Sequence, residues 1–269
     1  MLLVIDIGNT NIVLGIFGPV KTEGRPKPVG RDLVTSFRIK TEKLNKAAKY
    51  GSEVLRLFKK AGIGIDNIEG IIISSVVPPL VKVFREVCVK YLSKKPMVFE
   101  AGKKSPMKIL YDKPAEVGSD RIANSYAAFK LYKKPAIIVD FGTATTFDVV
   151  TKNGEYAGGV IAPGMGVSAQ ALFLAASKLP HITIKRPRRV LGKNTVQSMQ
   201  SGFFYGTVGQ VREIICELRK KMRTNPLVIA TGGYASLISS ELPLINLVRP
   251  ALTLEGLALI YKDKIEEKK

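Results

Sequence analysis

The residues best suited to chemistry lie at the start of the chain. Leu2 to Asn11 reads LLVIDIGNTN: the apolar run Leu2-Leu3-Val4-Ile5 has the length and branching of a buried strand, and Asp6, Gly8, Asn9, Thr10 and Asn11 follow. Apolar character then resumes through Ile12, Val13, Leu14, Ile16 and Phe17, as a returning strand would. A hairpin tip of this make suits a polyphosphate. Gly8 lets backbone amides approach the oxygens, Thr10 and Asn11 can donate to them, and Asp6 can hold a hydrated magnesium ion. An ordinary hairpin uses the same turn residues, so this stretch alone leaves both readings open.

A second copy changes the weight. Ala136 to Asp148 reads AIIVDFGTATTFD, again an apolar run, an Asp (Asp140), one residue, a Gly (Gly142), a Thr (Thr143) and a return to apolar residues. A third stretch, Leu227 to Ala235, is an apolar strand ending in the pair Gly232-Gly233, where a nucleoside could lie against bare backbone. In this order the trio resembles the phosphate-1, phosphate-2 and adenosine motifs of the acetate and sugar kinase/Hsp70/actin superfamily. The resemblance implies an α/β fold of duplicated ribonuclease-H-like (actin-like ATPase) domains with a nucleotide cleft between them. We expect the halves at residues 1–117, with the first phosphate loop, and 118–269, with the second phosphate and adenosine motifs.

Elements to position these turns follow from the pattern. Beyond a long Gly- and Pro-rich turn, Gly18 to Gly30, a strand is expected from Leu33 to Ile39. Apolar residues then recur at helical spacing from Leu44 to Phe58, and Gly62 closes that helix. A buried strand spans Gly70 to Val76, Pro79 suits the first turn of the next helix, and Pro96 to Phe99 is a short strand. The second half is expected to hold a helix from about Asp120 to Tyr132, a hairpin turning at Lys152-Asn153-Gly154, and a strand running into Gly164. A surface loop over Lys185 to Lys193, a long helix from Val196 to Met222, and a closing helix from Leu252 to Tyr261 with a frayed tail complete it.

Composition removes several classes of function. The 269 residues suffice for a substantial core, and no apolar stretch reaches the roughly 18 residues of a membrane span. With no basic leader read at the N-terminus and both Cys88 and Cys216 inside helical patterns, a cytoplasmic protein without disulfides is expected. A single histidine, His181, leaves little room for a metal hydrolase or a Ser-His-Asp triad. The net charge of +20 invites a nucleic-acid partner, but the lysines are spread as pairs over helix ends and loops. Solvation and attraction of anionic substrates account for them better.

Gly118-Ser119-Asp120-Arg121 adds what the phosphate turns lack. Phosphorylating an alcohol needs a base near the hydroxyl, and with one histidine in the chain a carboxylate is the natural choice. Asp120 stands where a glycine turn enters a helix, and Arg121 could grip a substrate carboxylate with its guanidinium fork. The plainer account is that Ser119 or Asp120 caps the helix and Arg121 lies on the surface.

Together with Asp6 to Asn11, Asp140 to Thr146, Gly158-Gly159-x-Ile161-x-Pro163-Gly164 and Leu252 to Leu257, this element resembles type III pantothenate kinase over nearly the whole chain. The resemblance implies ATP-dependent phosphorylation of pantothenate to 4'-phosphopantothenate, the first step of coenzyme A synthesis, in a homodimer. It implies Asp120 as catalytic base and an ATP loop of Asp6, Ile7, Gly8, Asn9, Thr10, Asn11, Ile12 and Val13, with Thr143 on phosphate. Asp6 would face magnesium and Asp140 a potassium or ammonium ion. Tyr111, Gly118, Ser119, Asp120 and Arg121 would contact pantothenate, with Thr195 supplied by the partner subunit. Ser119 departs from the family, where alanine is frequent. Two alternatives stand beside this reading: a Bvg accessory factor-like transcriptional regulator of the same fold, and a superfamily kinase for another small molecule.

Overall fold

The computed structural model describes residues 1–19, 31–42, 46–102 and 105–267. Most of the long turn expected from Gly18 to Gly30 lies outside these residues, as do Leu44 and the pair Lys103-Lys104. The chain divides into two compact units, Met1–Leu131 with Leu252–Lys269, and Tyr132–Ala251.

In the first unit the opening run forms β1 (Leu2–Ile7), which turns back antiparallel into β2 (Asn11–Gly18) and then β3 (Asp32–Lys40). Helix α1 (Ala47–Lys60) leads to β4 (Gly70–Ser75), which lies parallel to β1 with Asp6 opposite Ser74. Helix α2 (Pro78–Leu92) and β5 (Met97–Phe99) complete a sheet of order β3-β2-β1-β4-β5. Side chains alternate across each strand, so Leu3, Ile5, Ile7, Ile71 and Ile73 share one core with Val54, Phe58, Phe84 and Val87 of α1 and α2. Each of these large apolar side chains contributes about 1.5–3 kcal/mol on burial.

Asp6 and Ser74 fall on the other face of that sheet. Two further helices of this unit are α3 (Ser119–Tyr132) and α7 (Leu252–Glu266), the latter packed on β1 and β4. Gly256 makes the crossing possible, because a Cβ there would run into the Ala123 backbone of α3. Thr253 Oγ1 donates to Asn124 Oδ1 at 2.8 Å, Lys130 Nζ lies 2.7 Å from Asp263, and the Tyr126 hydroxyl donates to the same carboxylate. These anchors explain two differences from the sequence reading. The last helix continues through Glu266 instead of fraying after Tyr261, and it groups with the first unit, together with most of α3, whereas the expected division stood at 117/118.

The second unit repeats the plan. β6 (Ala136–Phe141), β7 (Ala144–Val150) and β8 (Tyr156–Pro163) form an antiparallel meander, followed by α4 (Met165–Ala175) and α5 (Thr195–Met222). β9 (Leu227–Gly232) lies parallel to β6, with Asp140 opposite Thr231, and the short α6 (Ala235–Ser239) precedes β10 (Leu247–Val248). Read from its β8 edge the sheet order is β8-β7-β6-β9-β10, the same plan as the first sheet, so β1 corresponds to β6, β3 to β8 and β4 to β9. Phe204, Val208, Val211 and Ile215 of α5 pack with Ile137, Val139 and Phe147 into its core.

Candidate active site

Each unit carries its own share of the predicted residues. In the first, residues 8–10 join β1 to β2, with Asn9 and Thr10 exposed and Asp6 half-buried at the end of β1. The Gly8 N–H donates to Asn11 O at 3.0 Å, closing the turn, and an added Cβ at Gly8 would press on that carbonyl at 3.0 Å. The turn is also held from β3: Thr41 Oγ1 donates to Gly8 O at 2.7 Å, and the Thr41 N–H donates to Thr10 O at 3.0 Å. Ile7, Ile12 and Val13 belong to the flanking strands, with Ile7 and Ile12 in the core.

The same unit brings the α3 entry beside this turn. Ser74, buried next to Asp6 on β4, shares a 2.9 Å hydrogen bond with the buried Ser119 hydroxyl. Ser119, Asp120 and Arg121 form the first turn of α3, and Gly118 O accepts the Ile122 N–H at 3.2 Å. Asp120 Oδ1 accepts the Arg121 N–H at 2.8 Å, and a Cβ at Gly118 would sit 2.5 Å from that same oxygen. Gly118 is therefore required by the carboxylate's position. Burial pushes the Asp120 carboxyl above the ordinary carboxylate range, against the opposing pull of the Arg121 N–H and guanidinium. A half-buried carboxylate raised in this way is tuned toward a proton acceptor. Arg121 is itself buried and not the surface residue of the plainer account.

In the second unit, Gly142 and Thr143 form the corresponding turn. The Gly142 N–H donates to Ala144 O, and the Gly164 N–H donates to Thr143 O, both at 3.1 Å. Gly164 is held so close to the Gly142 and Thr143 carbonyls that no side chain fits there. Gly232 has φ +89°, and a Cβ on it would lie 2.5 Å from Asp140 Oδ1. The Asp140 carboxylate and the Phe141 backbone fill the space a side chain at Gly232 would need, and the cross-strand partners of Asp140 are the threonines Thr146 and Thr231. An oxygen set of this kind fits a cation. Gly233, by contrast, has nothing within 4 Å of an added Cβ and no positive φ. Open space accounts for that glycine better than any packing need.

Tyr111 lies half-buried in the segment between β5 and α3, and Thr195 is exposed as the first residue of α5. Among the described residues no group of three or more His, Cys, Asp or Glu side chains is placed to hold a metal ion. Sequence reasoning missed Thr41, Ser74, Thr231 and Asp148. Asp148 is fully buried and accepts hydrogen bonds from the Tyr156 hydroxyl at 2.8 Å and from Thr146 Oγ1 at 3.3 Å. The hydroxyl residues Ser74 and Thr231 were within reach, since each ends an apolar run that must pair with an Asp-bearing strand. Nothing local marks Thr41.

Two five-stranded units of the same strand order, each with an Asp-x-Gly turn between its first two strands, define a protein of the actin-like ATPase and sugar-kinase fold. Solved structures agree. A Campylobacter jejuni protein assigned to the Baf family of transcriptional activators aligns with TM-score 0.59 at 17% identity, covering 98% of this chain and 99% of its own. The activator of 2-hydroxyisocaproyl-CoA dehydratase from Clostridium difficile, solved with ADPNP, gives 0.52 at 14%, covering 99% and 97%. At sequence level the model of the type III pantothenate kinase family matches residues 2–217. The type III pantothenate kinase of Geobacter sulfurreducens is 49% identical over 262 residues, covering 97% of this chain and 98% of its own. That of Halalkalibacterium halodurans is 46% identical over 265 residues, covering 98% and 100%. The chain belongs to the type III pantothenate kinase family.

Proposed function

We propose that this protein phosphorylates pantothenate with ATP, yielding 4'-phosphopantothenate for coenzyme A synthesis. The observation that carries the reading is Asp120: a carboxylate raised by burial, fixed at the mouth of α3 beside a buried arginine, in a chain of this family. Asp120 accepts the proton of the substrate's primary hydroxyl as it attacks, and Arg121 pairs with the substrate carboxylate. Gly118, Ser119 and Tyr111 complete the pantothenate contacts. The turn from Asp6 to Val13 and Thr143 bind ATP, whose phosphates suit turn amides and short hydroxyls. Asp6 faces magnesium and Asp140 holds potassium or ammonium; these ions supply charge neutralisation along the phosphates. Positioning and charge supply most of the rate, with proton acceptance a smaller share.

We infer further that the protein works as a homodimer in the cytoplasm. Exposed Leu174, Val190, Leu191 and Val196 surround Thr195 in sequence, and Gly202, Gly206 and Gly209 line an exposed face of α5 with open space above them. That surface suits a second copy, through which Thr195 completes the neighbouring pantothenate site. Among the described residues no helix is long and apolar enough to cross a membrane, and both cysteines are free.

The test is ATP-dependent phosphorylation of pantothenate by the purified protein with and without potassium, alongside Asp120→Asn. Turnover that needs the cation and collapses in the variant is expected. ATP binding without turnover under any cation would instead point to a regulator, and turnover only on another alcohol to a different kinase.

A further inference from the structure

The hydrogen bonds that Thr41 makes to the first turn go beyond closing a loop. No peptide bond of the described residues is cis, so in each peptide the C=O and the following N–H point in opposite directions. Thr41 Oγ1 takes the Gly8 carbonyl at 2.7 Å. The Asn9 N–H, in the same peptide, is thereby aimed away from Thr41. Among the described residues no protein acceptor meets it, and Asn9 itself is exposed. The Thr41 N–H takes the Thr10 carbonyl at 3.0 Å and turns that peptide the same way. Two of the turn's carbonyls, Gly8 O and Thr10 O, are thus engaged by Thr41, and the Asn9 N–H is left facing away from it.

Thr41 is in turn fixed from below. The Glu42 N–H donates to the Tyr50 hydroxyl at 2.9 Å, and that hydroxyl donates to Glu42 O at 3.0 Å. Tyr50 is fully buried on α1, its ring 4.9 Å from that of Phe84 on α2. A line of contacts therefore runs from the α1–α2 core through residues 41 and 42 to the turn. The second unit supports a purpose for this clamp. Gly164 follows β8 as Thr41 follows β3, and its N–H likewise takes the carbonyl of the turn threonine. The backbone half of the clamp is common to both units, and the hydroxyl half belongs to the first alone.

We propose that Thr41 is a positioning residue of the nucleotide site: its hydroxyl and N–H orient the 8–10 turn so that the Asn9 N–H donates to a phosphate oxygen of ATP. The inference rests on the first turn being the phosphate loop, so the experiment includes a variant that tests that reading separately. The binding of a magnesium complex of a non-hydrolysable ATP analogue is measured by calorimetry for wild type, Thr41→Val, Thr41→Ser, Tyr50→Phe and Asp6→Asn, with steady-state kinetics in parallel. Thr41→Val keeps the shape and loses the donor. It should weaken nucleotide binding about tenfold, the size of one misaimed hydrogen bond to a charged group. The KM for pantothenate and kcat at saturating ATP should stay within about twofold. Thr41→Ser should recover most of the affinity, and Tyr50→Phe should move it in the same direction as Thr41→Val, by less. If Asp6→Asn weakens binding and Thr41→Val does not, the positioning role is wrong and the loop assignment stands. If neither weakens it, the loop assignment falls and takes the inference with it. Equal losses in kcat and in both KM values for Thr41→Val would also overturn the proposal, since they mark general loosening of the fold.

Discussion

Ser74 on β4 and Ser119 at the start of α3 are joined by a 2.9 Å hydrogen bond between two buried hydroxyls. Ser74 is also the register partner of Asp6, so one buried pair ties the end of β1, before the 8–10 turn, to the helix that carries Asp120. In the second unit Thr231 holds the place of Ser74, opposite Asp140. The duplicated fold thus repeats a hydroxyl beside each turn aspartate, and in the first unit that hydroxyl seats a helix.

Removing one end of that pair strands the other. Ser119→Ala leaves the Ser74 hydroxyl buried without its partner, which costs about 1–3 kcal/mol. For a chain of this length the melting temperature should fall by roughly 2–4 °C per kcal/mol. The double variant Ser74→Ala/Ser119→Ala removes both polar groups and should melt above Ser119→Ala. A double variant that melts at the sum of the two single losses would show that the hydroxyls do not act as a pair.

Asp120 should show a conflict between stability and activity. Its carboxyl is raised in the fold by burial, so folding favours the protonated form. The contribution to stability is full below the unfolded-state value and is lost as pH rises through the folded-state value. At neutral pH, above the unfolded-state value, the raised carboxyl is therefore a burden on the fold. Asp120→Asn should melt higher than wild type near pH 7 and lose that advantage at pH values below about 4, where both side chains are uncharged. Its kcat should drop by about 10²–10⁴, the usual share of a general base. Wild-type activity should fall on acidification at a pH above the ordinary carboxylate range. Thermal melts and rate profiles over the same pH series decide both points.

A cation held by Asp140, as proposed, should act on the fold as well as on the rate. Potassium at about a hundred times its Kd should add roughly 2.7 kcal/mol of stability, read as a rise in melting temperature over a choline buffer of equal ionic strength. Asp140→Asn should abolish the rise. Gly232→Ala should abolish it too, and should destabilise the protein by at least about 1–2 kcal/mol, because alanine is strained at φ +89° and its methyl meets the carboxylate. A potassium-induced rise that survives in Asp140→Asn would place the ion elsewhere.

How much of this was legible in the sequence depended on how local the cause was. β1 and β6 could be read because an unbroken apolar run ends on an aspartate and a glycine. The start of α5 could have been read more sharply. Asn194 Oδ1 accepts the Gln197 N–H and Gln197 Oε1 accepts the Lys193 N–H, both at 2.9 Å, a reciprocal capping pattern over three and four residues. β10 and α6 escaped because two and five residues carry no periodicity. The return of α7 to the first unit rests on Gly256 meeting Ala123, a contact between residues far apart in the chain. For Thr41 the functional contact spans 33 residues to a carbonyl oxygen, and a carbonyl has no sequence identity to betray it.

Whether Thr195 serves its own subunit or its neighbour can be settled by mixing two dead proteins. Thr195 is exposed at the first position of α5, among exposed apolar side chains and in a different compact unit from Asp120. Suppose that Asp120 of one subunit and Thr195 of the other form one site. A dimer made from Asp120→Asn and a Thr195→Tyr variant that blocks the pantothenate pocket then contains one site with both native residues. Unfolding the two inactive proteins together and refolding them as a mixture should restore activity, whereas either refolded alone should not. If each site takes both residues from the same subunit, every site in the mixture carries one lesion and no activity returns. Sedimentation of the mixture provides the control, because a species of twice 29.4 kDa must be present for the comparison to hold. Recovery in the mixture with that mass would establish both the dimer and the shared pocket.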